Sequence, residues 1–211
     1  MQIRSIQGQL ILLVGASFLI MAGAMVGVTT YLLKGVRSEA TSVIDRSQSQ
    51  SYGKDLDGII AELARAKEGV DRTLREAGTN GTEGAEAWRR DAQSQVVEEL
   101  RRRCYSSSNV SIYPIIVATN GLVVMHPGRR AGERLDDEAL EQALLGVGNA
   151  EVNVIYQEVP LWIRVGRYAP WGWVVGFVVP QEVKGAPARS IEETIATFNR
   201  CQLLTIALMG A

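Results

Sequence analysis

Arg164 is the side chain in this sequence whose type and position best suit binding of a charged small molecule. It lies in the middle of residues 161–168, "LWIRVGRY", whose alternation is typical of a β-strand. In a strand Arg164 shares one face with Trp162, and a guanidinium beside an aromatic ring can bind a carboxylate through two parallel hydrogen bonds. An exposed or ion-paired arginine on a solvated face is an equally good interpretation, because the alternation does not show which face is covered.

Four further side chains are candidates for the same kind of site. Tyr113 and Tyr156 can supply hydroxyl groups to a pocket with apolar walls, although packing in the core with a satisfied hydroxyl is slightly favoured for each. His126 can line the pocket edge, although a structural role beside Pro127 is favoured. Arg129 lies in the following loop and can attract an anion or simply be solvated. The predicted ligand-binding residues are therefore Arg164, Tyr113, Tyr156, Trp162, His126 and Arg129.

Other chemistries find little support in the sequence. A single histidine, with no glycine-rich phosphate loop and no nucleophile elbow, argues against an enzyme. Cys104 and Cys201 have no metal-ligand spacing, so we expect no metal and no cofactor. With 22 basic and 23 acidic residues the net charge is −1, and we expect no nucleic-acid partner.

Residues 10–33 form an uncharged apolar segment near the N-terminus. About 20 such residues in a helix suffice to cross a bilayer, so we predict a membrane anchor, in preference to a cleaved signal peptide. A shorter apolar run starts at Cys201, and it is either a buried end or the start of a second span. We favour the second span, because Arg200 precedes the run as a cation does at a membrane boundary. The residues between the two segments are then expected outside the cytoplasm.

The elements that must position the candidate residues follow from periodicity and turn signals. A long amphipathic helix at 38–77 continues the membrane helix, and a second helix follows at 85–104. The remaining segments alternate between strands and short helices. They are strands at 112–118 and 122–125, a helix at 136–145 capped by Asp136 or Asp137, strands at 152–157, 161–168 and 173–179, and a helix at 191–200. This order predicts an α+β fold in which long helices cover one face of a five-stranded antiparallel sheet.

Three stretches carry a resemblance to a known family. "YPIIVATNGLVVMHP" (113–127) is a strand, an Asn-Gly turn and a return strand that ends in His-Pro. "GERL" (132–135) leads into the short helix, and "APWGWVVGFVVP" (169–180) is a turn that delivers a tryptophan into the last strand. Together they resemble the Cache family of extracytoplasmic sensor domains, in the form with a single PAS-like sheet. The resemblance covers about residues 38–200.

The resemblance implies the periplasmic module of a receptor in the bacterial cytoplasmic membrane, in contact with the bilayer and expected to be a homodimer. A small molecule would bind between the sheet and the short helix, and the last helix would signal to a cytoplasmic output. That output is a chemotaxis transducer, a histidine kinase or a diguanylate cyclase. The opening "IRSIQGQLILLVG" looks most like chemoreceptors.

Two departures from the family bear on the ligand. The Arg-x-Trp-Tyr cluster with a later aspartate, found in amino-acid-binding relatives, is absent here, and Asn120 stands where an acidic turn residue is common. Small carboxylates are therefore favoured over amino acids.

The predicted domain organisation has six segments. They are a cytoplasmic N-terminus (1–9), the first membrane helix (10–33), two helices (34–104), the sensor sheet (105–190), an exit helix (191–200) and the start of a second span (201–211). A rival interpretation from another class is a membrane-anchored coiled-coil or assembly protein that binds no ligand.

Overall fold

The computed structural model describes residues 6–78, 83–106, 111–146 and 148–209. The chain divides into two compact units, one of Met1–Arg46 with Gly185–Ala211 and one of Ser47–Lys184. Parts of the segments that join the two predicted long helices to each other and to the first strand fall outside the described residues, as do positions 1–5 and 210–211 of the predicted terminal segments.

Helix α1 (Ile6–Glu76) contributes its first part to the smaller unit. The predicted membrane helix and the predicted amphipathic helix are thus one continuous element. Apolar side chains along the first part are exposed, among them Phe18 and Met25 at 62% and 70%. Among the described residues α1 is the one helix long and apolar enough to cross a membrane. An ion pair of 2.5 Å joins Arg37 of α1 to Glu192 of the last helix within this unit.

The larger unit is built on a five-stranded sheet. After helix α2 (Glu83–Cys104) come β1 (Tyr113–Ala118), β2 (Val123–Met125), helix α3 (Glu138–Leu145), β3 (Ala150–Tyr156), β4 (Val159–Tyr168) and β5 (Trp173–Pro180), and α4 (Gln181–Met209) follows at once. The strands lie in the order β2-β1-β5-β4-β3, and every neighbouring pair is antiparallel. The predicted α+β class and the five strands are confirmed.

Both faces of the sheet are covered, each by a different layer. Because side chains alternate between faces along a strand, Ile116, Trp162 and Val175 pack against α1 and α2. Their sequence neighbours Ile115, Ile163 and Val174 face the other way, toward α3. We call these clusters the helix-side core and the α3-side core. The prediction that long helices cover one face is confirmed, and α3 covers the other.

Two glycines in adjacent strands, Gly176 and Gly166, let helices approach the middle of the sheet closely. Gly176 of β5 lies opposite Val165 of β4, and a Cβ atom added to it would lie 2.7 Å from Cδ2 of Leu144 in α3. Gly166 of β4 serves the other face, where an added Cβ would lie 2.7 Å from Cδ1 of Ile60 in α1. Each glycine therefore lets a side chain of one helix lie directly against the backbone of the sheet.

The structure corrects the predicted start of the last helix. Residues 181–190 contain Gly185 and Pro187, which are poor helix formers, and the pattern therefore predicted a start at 191. In the structure α4 begins directly after β5, with Glu182 in its first turn and Val183 packed on the helix-side core. An acidic side chain in the first turn suits the positive end of the helix dipole, and the packing of Val183 outweighs the poor propensity.

Candidate functional site

Tyr113 and Tyr156 lie on the α3 face, one at the start of β1 and one at the end of β3. Tyr156 belongs to the α3-side core with 8% exposure, and Tyr113 packs against that core. Burial raises the pKa of the Tyr113 phenol, and the nearby Tyr156 raises it further. The Tyr113 hydroxyl therefore remains protonated at neutral pH, and the Tyr156 hydroxyl lies near it.

His126 follows β2 and is buried beside Tyr113. Its exposure is 7%, and its ring lies edge-on to that of Tyr113 with centroids 6.2 Å apart. The Nδ1 atom accepts a hydrogen bond of 3.0 Å from the backbone N–H of Gly128, so in the neutral ring Nε2 carries the proton. Burial lowers the pKa of His126, and the charge of Arg129 lowers it further. His126 is accordingly a neutral side chain with one N–H donor at pH 7.

Arg129, in the loop after His126, brings a positive charge to this group. Its guanidinium forms an ion pair with Asp136 and interacts with the hydroxyl of Tyr156. Arg129 is 28% exposed along its side chain, whereas the neighbouring Arg130 is exposed and donates only its backbone N–H to Glu133. The two arginines of this loop thus have different surroundings.

The ion pair of Asp136 with Arg129 is a contact that the sequence did not single out. Asp136 and Asp137 were both candidates for the α3 cap, and the structure gives the cap to Asp137, whose Oδ1 accepts from the backbone N–H of Leu140 at 2.9 Å. Asp136 is then free to meet Arg129, seven residues earlier in the chain. The two adjacent acidic residues were the available signal, since one helix needs only one N-cap.

Four of the six predicted ligand-binding residues therefore come together. We call them the α3-side site: Tyr113, His126, Arg129 and Tyr156. The site offers a guanidinium, two phenol hydroxyls and an imidazole N–H, all of them donors. A carboxylate accepts hydrogen bonds only, so this set matches it in charge and in hydrogen-bonding character.

The other two predicted residues lie on the opposite face. Arg164 pairs with Glu151 of the adjacent β3, with Nη1 and Oε1 3.0 Å apart. Trp162 is 3% exposed in the helix-side core, where its ring packs against Tyr52 with centroids 5.7 Å apart. Arg164 is thus the ion-paired arginine of the second interpretation given above. Neither Arg164 nor Trp162 belongs to the α3-side site.

His126 makes the stability of this unit depend on pH. Its pKa is lowered in the folded state, so the unfolded chain binds the proton more readily. The free energy of unfolding should therefore fall as the pH is lowered below about 6.5, the ordinary pKa of histidine. Thermal unfolding at a series of pH values would measure the slope. In His126→Gln the slope should become flatter over this range, and an unchanged slope would contradict this origin.

No family model matches the chain, and no curated protein matches it. Among solved structures, a Cache chemosensory domain described for its carboxylic acid recognition is 22% identical with a TM-score of 0.48, and the match covers 64% of this chain and 94% of that one. A periplasmic sensor domain of a chemotaxis protein is 22% identical with a TM-score of 0.37, covering 61% and 96%. A methyl-accepting chemotaxis protein from Vibrio parahaemolyticus is 13% identical with a TM-score of 0.37, covering 67% and 96%. The first of these structures is described as a Cache domain, the class that the sequence motifs resemble.

Proposed function

We propose that this chain is the extracytoplasmic sensing module of a bacterial transmembrane receptor and that it binds a small carboxylate at the α3-side site. The observation that supports this most is the convergence of Tyr113, His126, Arg129 and Tyr156 on the face that α3 covers. These residues come from three separate parts of the chain, and a purely structural sheet has no need to gather them.

Arg129 would be the main determinant of affinity. Its present partner Asp136 is 49% exposed, and a surface ion pair of this kind contributes little. A carboxylate ligand can replace Asp136 as the partner of the Arg129 guanidinium. The tyrosine hydroxyls and the His126 N–H can then donate hydrogen bonds to the oxygens of the ligand. Charge-assisted hydrogen bonds made in a partly desolvated site are stronger than those at the surface.

The signal would leave the sheet through β5 and α4. Within the larger unit two polar side chains hold the start of α4 to the sheet, in addition to the packing of Val183. The ammonium of Lys184 lies 4.8 Å from the ring centroid of Trp162, and Nε2 of Gln181 donates to Oδ1 of Asn153 at 3.1 Å. A change in the sheet caused by ligand binding would therefore reach α4. We propose a periplasmic location, α1 as the membrane anchor, a homodimer and a chemotaxis transducer as the output.

The test is a thermal-shift screen of the whole chain in lipid nanodiscs against acetate, propionate, pyruvate and succinate, with amino acids and amines alongside. At least one carboxylate should raise the unfolding temperature, because a ligand that binds only the folded state stabilises it. In Arg129→Gln the affinity for that carboxylate should fall about tenfold, the loss expected for one charge-assisted hydrogen bond.

Arg130→Gln is the matched control, since Arg130 lies next in the chain and is exposed. It should leave the affinity within about twofold of the original. If both variants lost affinity for the carboxylate equally, the loop would act only through its overall charge, and the proposed contact of Arg129 with the ligand would be wrong. If no compound of any class stabilises the chain, the membrane-anchored assembly protein becomes the better interpretation.

A further inference from the structure

A cavity lies on the helix side of the sheet, away from the α3-side site. Its volume is about 280 Å³, and it is enclosed between α1, α2 and the turn that joins β4 to β5. Its lining consists of Lys67, Val70, Asp71, Arg89, Pro170 and Trp171. All six residues belong to the larger compact unit.

One wall of this cavity is aromatic and well supported. Trp171 packs edge-on between Tyr168 and Trp173, with ring centroids 5.4 and 4.8 Å away. Tyr168 is buried, and its hydroxyl donates to the backbone carbonyl of Leu63 in α1 at 3.1 Å. Gly172, which follows Trp171, has a φ of 64°, a left-handed conformation that glycine adopts without cost. The Trp171 ring is thus held in place from both sides.

The opposite wall carries an excess of positive charge. Lys67 and Asp71 form an ion pair of 2.5 Å one turn apart on α1. Arg89 of α2 has no acidic partner among the residues that the structure describes, so the cavity has a net charge of about +1. A guanidinium beside an aromatic wall matches a ligand that has one carboxylate and a flat apolar body.

We propose that this cavity is a second binding site, for a small aromatic or otherwise flat monocarboxylate. The carboxylate lies on Arg89, with Lys67 nearby, and the apolar body lies against Trp171 and Pro170. The volume is close to the lower end of the range for ligand pockets, about 300 Å³, which restricts the ligand to a single ring. This site is independent of the α3-side site, because the sheet separates the two.

Fluorobenzoate is the probe, observed by fluorine NMR on the whole chain in nanodiscs. All titrations are done in the Arg129→Gln background, which removes the cation of the α3-side site. Fluorobenzoate should bind, with broadening of its resonance. Adding Arg89→Gln should weaken binding about tenfold, and adding Trp171→Leu should also weaken it, whereas Arg90→Gln, which changes the adjacent arginine outside the cavity lining, should not.

Inorganic phosphate and benzylamine distinguish the contributions to binding. If inorganic phosphate displaced fluorobenzoate and bound as tightly as fluorobenzoate does, the proposal would be overturned, because the apolar wall would then contribute nothing to binding. Stronger binding of benzylamine would overturn it too, because Asp71 and not Arg89 would then select the ligand. If the Arg129→Gln chain kept its unfolding temperature but did not bind fluorobenzoate, that result would also overturn the proposal. None of these results affects the proposed function, whose site lies on the other face.

Discussion

Replacing Leu63 by alanine is expected to lower the free energy of unfolding of the larger unit by about 2–5 kcal/mol, the usual cost of a large-to-small change in a core. Leu63 has no exposed surface, and it packs from α1 into the helix-side core. Its carbonyl also accepts the hydroxyl of Tyr168, so the change acts where α1 is held to the sheet. Urea denaturation followed by near-ultraviolet circular dichroism would measure it.

Val43→Ala provides a negative control for this prediction, because Val43 is an apolar residue of the same helix that is 58% exposed and lies in the smaller unit. It should change the free energy of unfolding by less than about 0.5 kcal/mol. A loss for Leu63→Ala as small as that of the control would mean that α1 does not pack on the sheet as described.

Gly176→Val is the second change with a large expected effect, a loss of about 1–3 kcal/mol from overpacking. The new side chain would enter the α3-side core, where an added Cβ already lies 2.7 Å from Leu144, 3.1 Å from Ile115 and 3.3 Å from Ile163. Because Leu144 is itself fully buried in that core, displacing its side chain would disturb the packing of α3 on the sheet. Carboxylate binding should therefore weaken together with stability, as calorimetric titration would show.

Gly148→Val is the matched change, because nothing lies within 4 Å of a Cβ added there. It should leave both binding and stability nearly unchanged. If Gly176→Val bound carboxylate normally, α3 would have no part in the α3-side site.

Most elements were predictable because their signals are local. The capping aspartates and Gly146 define the short helix, and alternation assigns Trp162 and Ile163 to different faces. The order of the strands had no such signal. The pairing of β1 with β5 joins segments that are far apart in the chain, as in Ile116 with Val175, and a single sequence does not show which strand edges meet.

The candidate site depends on that non-local pairing. Tyr113 and Tyr156 were chosen separately for their chemistry, and only the order β1-β5-β4-β3 brings them into one environment. Arg164 illustrates the opposite case. Its strand and its neighbours on the same face were predicted correctly, but which layer covers that face depends on where α1 and α2 pack. The acidic partner Glu151 then comes from the strand beside it.

The central claim is that a carboxylate binds between the sheet and α3, and labelled tyrosine rings can report on this directly. The chain has six tyrosines, of which Tyr113 and Tyr156 lie in the α3-side site, whereas Tyr52 and Tyr168 lie in or against the helix-side core. NMR spectra of the tyrosine-labelled chain would be recorded during titration with the carboxylate that gives the largest thermal shift. The account predicts that the resonances of Tyr113 and Tyr156 move with saturation while that of Tyr52 stays in place. Saturable shifts at Tyr52 or Tyr168, with none at Tyr113 and Tyr156, would contradict it.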